Sequence, residues 1–126
     1  MAVANPYQQY MRNRVFSAPP EELVLMLYDG SIKFIKQAEK AINEKNIEQA
    51  NNYIIKAQNI FTELKTNLNR EIEISDNLYS LYDYMYRRLV DANMKKDVTV
   101  LHEVQDLVQE LRESWAEAIK IARKEA

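Results

Sequence analysis

Helix breakers are nearly absent from most of this chain of 126 residues. It holds one glycine, Gly30, and three prolines, all within the first 20 positions. Glycine and proline are the strongest interruptions of a helix, so the stretch from Glu21 onward favours long helices, and an all-α fold is expected. Three short polar links divide that stretch into four. A helix from about Pro20 to Asn43 opens on a proline suited to a first helical position, with Glu21 and Glu22 complementing the positive end of its dipole. Asn46, with Gln49 three residues on, has the spacing of a capping box that starts a second helix. There Ile47, Ala50, Ile54, Ala57, Phe61, Leu64 and Leu68 step alternately by three and four, a seam for near-parallel packing. Residues 69–77 form the next link, with Ser75, Asp76 or Asn77 as candidate caps for a third helix over about 78–93. Asp97 is placed to cap a fourth, whose Leu101, Val104, Val108, Leu111, Trp115 and Ala118 fall on one face. Short links favour an antiparallel up-down-up-down four-helix bundle.

The first helix is too apolar for one core stripe. Leu23, Val24, Leu25, Met26, Leu27 and Tyr28 run around its whole circumference, so a second face needs a cover. Residues 1–18 are expected to be an N-terminal arm, separate from a bundle domain over 19–126, ending where Ala18 precedes two prolines. The arm carries Tyr7, Tyr10, Met11, Val15 and Phe16, candidates for a lid with Tyr10 as its anchor. A partner segment competing with that lid would find a groove, for which Leu25, Tyr28 and Ile32 on the second face of helix 1, with Ile55, Tyr79 and Tyr86 outside the other seams, are the candidate residues. Asp29, Gly30, Leu111 and Trp115 are assigned structural roles: Gly30 to admit another backbone, Asp29 to bond the arm or a loop, and the other two to the core.

Composition narrows the function. The net charge is −2. Arg12 and Arg14 give the arm an opposite sign to the rest, and no global field recruits nucleic acid or an anionic membrane. There is no cysteine, which excludes a disulfide framework and thiolate metal sites and fits the cytosol. The longest apolar run, Leu23 to Tyr28, falls far short of the roughly 18 residues that span a bilayer, so no membrane insertion is expected. One histidine, His102, is too few for a di-iron bundle site with paired Glu-x-x-His motifs, so no metal or other cofactor is expected. His102 as a phosphoryl acceptor is a weak alternative, since Glu103, Val104 and Gln105 follow it. One glycine, one histidine and no cysteine leave no phosphate loop, Ser/His/Asp order or cysteine nucleophile, and an enzyme is not expected. The remaining rival is a scaffold that consumes its surplus apolar surface in a weak homodimer.

Particular residues resemble the flagellar secretion chaperone family, FliS. They are Asn5-Pro6-Tyr7 with Tyr10, the block Met26-Leu27-Tyr28-Asp29-Gly30 followed by Ile32, Phe34 and Ala38, then Ile74-Ser75 with Asn77-Leu78, Leu81-Tyr82 and Tyr84-Met85, and finally Glu103-Val104, Glu110-Leu111-Arg112 and Trp115. One departure is the approach to helix 1, where Ser17-Ala18-Pro19-Pro20 lacks the family's usual hydroxyl before the proline. The resemblance implies an antiparallel bundle in the cytosol that binds the disordered C-terminal segment of flagellin, blocks its polymerisation and passes it to a component of the export gate, with the arm covering an apolar groove until the client arrives.

Overall fold

The computed structural model describes residues 19–125 of the chain, which form four helices in order: α1 (Pro20–Asn43), α2 (Ile47–Thr66), α3 (Ile74–Lys95) and α4 (Val98–Glu125). Among the described residues there is no strand. The candidate arm residues Tyr7, Tyr10, Met11, Val15 and Phe16 lie outside them.

Local signals set the starts of three of the four described helices. α1 opens with Pro at its first position and acids in its first turn, and lacks a side-chain cap at Pro19. At the start of α2, Asn46 Oδ1 accepts the Gln49 N–H at 3.2 Å, the expected bond. Asp97 likewise accepts the Thr99 N–H at 2.9 Å at the start of α4. Lys45 and Lys96 take the left-handed conformation in the two tight links, with φ of 61° and 51°. The start of α3 departs from expectation. It begins four residues earlier than the pattern indicated, and none of Ser75, Asp76 or Asn77 caps it: Glu73 is already helical and makes no cap bond. The Asp76 carboxylate is taken instead by Arg70 at 2.9 Å, and Ser75 is buried within the helix.

α1 packs between α2 and α4, and α3 closes the ring opposite it. Contacts across each seam run antiparallel, as Asp29 with Arg112 and Glu39 with His102 show for α1 and α4. The core is a continuous column. Ile35 and Ala38 from α1, Ile54, Ala57 and Phe61 from α2, Met85, Leu89 and Ala92 from α3, and Leu101, Val104 and Val108 from α4 are all fully buried. Small residues recur among them because near-parallel helices approach closely along a seam. Within the column the Tyr28 and Tyr82 hydroxyls share a hydrogen bond of 2.5 Å. Each satisfies the polar tip of the other, and burial pushes both phenols above their ordinary range.

Among the described residues no backbone approaches Gly30 closely, contrary to the expectation. A Cβ placed there would meet, among the described residues, only the Ile60 Cδ1 atom, at 3.2 Å. That methyl ends a flexible, half-buried side chain and can turn aside, whereas a glycine inside a helix costs about 1 kcal/mol relative to alanine. Gly30→Ala is therefore expected to raise stability by roughly 0.5 kcal/mol, read as a higher midpoint in denaturant titration.

Candidate functional site

The two ends of the bundle differ. The end that holds the α1–α2 and α3–α4 links is sealed in its interior by the buried column, and carries on its surface a hollow of about 240 Å³ lined mainly by polar side chains, among them Gln37, Lys40, Glu44 and Gln49. At the other end, where α1 begins and α4 finishes, no α1 residue before Tyr28 and no α4 residue after Val108 is buried. The sequence dictates this. Apolar residues from Leu23 to Leu27 face every direction, but among the described helices α1 packs chiefly on α2 and α4, so those helices leave part of that surface uncovered.

Three hollows gather at this open end. One enters end-on between all four helices, about 300 Å³, with Leu23, Val24, Leu27, Leu64, Leu68 and Trp115 in its wall and Tyr82 at its floor. A second, about 360 Å³, lies between α1 and α4 over Leu25, Met26, Ala116 and Ile119. The third, about 380 Å³, runs past Trp115, Ile119 and Ala122. Ion pairs tie the two helices across this region, Arg112 Nε to Asp29 at 2.8 Å and Arg123 Nη2 to Glu22 at 2.7 Å. The Trp115 indole N–H donates to the Glu21 carbonyl at 2.8 Å, fixing α4 against the first turn of α1.

The candidate groove residues divide into three places. Leu25 is half-buried and lines the hollow between α1 and α4. Tyr28 and Ile32 are not on a second face at all: they are 1% and 7% exposed, and both belong to the core. The misplacement follows from reading a helix that is apolar all round, where periodicity cannot tell the core stripe from its neighbour. Ile55, Tyr79 and Tyr86 lie outside the column on α2 and α3, Ile55 and Tyr79 exposed and Tyr86 half-buried, away from the side of α1 that holds Leu25. Cations cover these tyrosines. The Lys65 ammonium is 4.7 Å from the ring centre of Tyr86 and 5.8 Å from that of Tyr79, and the Arg70 guanidinium is 4.4 Å from Tyr79.

Among the residues assigned to structure, Asp29 bonds Arg112 of α4 rather than a loop. Leu111 and Trp115 pack against the core but are only half-buried, although α1 reaches both, through Asp29 beside Arg112 and Glu21 at the Trp115 indole. Sequence reasoning missed Met26, Arg112, Ala116, Ile119 and Arg123 as lining of the open end. The signal was present in α4, where 112, 116, 119 and 123 follow helical spacing along one side.

Outside the open end, the side chain of His102 is exposed, with Nε2 3.5 Å from the Glu39 carboxylate. Burial raises the Glu39 carboxyl above its ordinary range, against the pull of His102 and Lys36, and Asp106 adds to the rise. A carboxyl whose folded value is raised favours the folded state while protonated and loses that contribution as pH climbs through the raised value. Glu39→Gln is therefore expected to raise Tm at pH 7 and to leave it nearly unchanged near pH 4, as a thermal melt series would record. Among the described residues no group of three His, Cys, Asp or Glu side chains is arranged to hold a metal ion. No described helix is long and apolar enough to cross a membrane.

The fold is that of an antiparallel four-helix bundle with a continuous core and hollows where α1 begins and α4 ends. Its lineage is specific. The chain matches the family described as "Flagellar protein FliS" over residues 3–122, and it belongs to the FliS family of flagellar secretion chaperones. It is 50% identical to the flagellar secretion chaperone FliS of Bacillus subtilis, over 99% of this chain and 94% of that protein. It is 35% identical to the protein of the same name from Salmonella typhimurium, over 86% of this chain and 82% of the other. A crystal structure of a flagellar chaperone from bacteria superposes with a TM-score of 0.77, covering 90% of this chain and 94% of that one at 23% identity, a likeness of fold.

Proposed function

We propose that this protein is a cytosolic export chaperone that holds the disordered C-terminal segment of flagellin at the open end of the bundle, keeps it from polymerising, and presents it to a component of the flagellar export gate. The observation that carries the reading is the gathering of the three hollows described above, with half-buried Leu23, Leu25, Met26 and Ile119 in their walls, where α1 begins and α4 ends. A disordered client can wrap such a surface and order on it, laying amphipathic turns into separate hollows. Leu25 is its contact in the α1/α4 hollow, and Ile55, Tyr79 and Tyr86 offer a second station on α2 and α3. Residues 1–18 act as a competing lid through Tyr7, Tyr10, Met11, Val15 and Phe16, since the arm joins the bundle at Pro19, beside the end-on hollow. The task is binding without chemistry and uses no cofactor.

Calorimetric titration of the full chain with a synthetic flagellin C-terminal peptide tests this. Saturable binding with a negative heat-capacity change, tightened by Tyr10→Ala, is the expected result. Absence of binding, together with a mass that doubles with concentration in the ultracentrifuge, would transfer the open end to a homodimer.

A further inference from the structure

One cation on the rim of the α1/α4 hollow has no partner among the described residues. Its floor is apolar, from Leu25, Met26, Ala116 and Ile119, and its rim carries Glu22 and Asp29 from α1 against Arg112, Lys120 and Arg123 from α4. Two of the three cations are engaged. Arg112 gives its Nε–H to Asp29, and Arg123 gives an Nη2–H to Glu22, with Glu21 a further 4.0 Å neighbour of Arg123. Lys120 makes no ion pair or hydrogen bond with another described residue. A lysine alone on a surface is ordinarily just solvated. Here it stands on the wall of a hollow with an apolar floor and a charged rim whose other charges are all paired, one helical turn from Arg123 and two from Arg112 on the same side of α4.

We infer that this hollow is built for an amphipathic segment bearing a carboxylate beside its apolar stripe, with Lys120 as the receiving cation and the half-exposed Arg112 and Arg123 flanking it. The inference rests on the chaperone reading and adds the chemistry that the client must present. An apolar stripe alone would leave Lys120 facing it across the hollow, whereas a carboxylate at its edge completes the charge pattern and fixes the register of the segment along α4. The same arrangement disfavours a segment with lysine or arginine at that position, which gives the hollow a means of discrimination between amphipathic helices of equal hydrophobicity.

The test uses the full chain, its Lys120→Gln variant, and two peptides: the flagellin C-terminal segment and the same segment with every Asp and Glu replaced by Asn and Gln. Lys120 is exposed, so the variant should melt with the wild type. At about 50 mM salt Lys120→Gln is expected to bind the natural peptide about fivefold more weakly, and at about 500 mM salt the gap should narrow as screening shortens. Against the neutralised peptide the two proteins should bind alike, since the coupled partner is gone. Equal affinity of wild type and Lys120→Gln for the natural peptide at low salt overturns the inference while leaving the client reading intact. A wild type that binds neither peptide overturns both.

Discussion

Phe61→Ala is expected to remove about 3–5 kcal/mol of stability and to lower Tm by roughly 10–20 °C. The side chain is fully buried, its ring centre is 6.4 Å from that of Tyr82, and it sits in the column where all four helices meet. Truncation leaves a cavity walled by well-packed neighbours on rigid helices, which collapse around it only in part. Thermal and urea melts measure the loss. A drop below about 1 kcal/mol would mean that the column is not the packed core described.

The second large effect is on binding. Leu25→Asp places a carboxylate over the apolar floor of the α1/α4 hollow, between Glu22 and Asp29, where it both removes contact area and opposes an acidic segment. Affinity for the flagellin peptide is expected to fall at least about 30-fold, the scale of a central hot spot. Because Leu25 is only half-buried, Tm should move little. The two substitutions thus separate by end: Phe61→Ala acts through folding, Leu25→Asp through binding. If Leu25→Asp melts as early as Phe61→Ala, the open end is part of the core and not a site.

The pattern of success in reading the sequence follows the same division. Where helices are amphipathic, as in α2, the middle of the seam was legible: the structure buries Ala50, Ile54, Ala57, Phe61 and Leu64, while Leu68 is half-buried and Ile47, at the first position of the helix, is exposed. Caps that depend on one side chain and one N–H, at Asn46 and Asp97, were legible too, because the interaction is local. The start of α3 was not, since Asp76 is captured by Arg70, a choice made by the folded link and not by propensity. The surplus in α1 was visible as composition, but its geometry was hidden. Leu25 and Tyr28 differ in burial only because α2, α3 and α4 approach one side of the helix, and no residue of α1 encodes that alone. The charges of α4 escaped notice for the reverse reason: Arg112 and Arg123 acquire meaning from Asp29 and Glu22, more than eighty residues away in sequence.

Native-state hydrogen exchange of the full chain, with and without the flagellin C-terminal peptide, tests the central claim most directly. Amides at the start of α1 and along the last turns of α4 should gain protection on binding, while those of the sealed end, around Ala38–Ala41, Ala50 and Ala92, stay as they were. Protection that appears only at the sealed end, or nowhere on α1 and α4, would contradict the assignment of the open end as the client site.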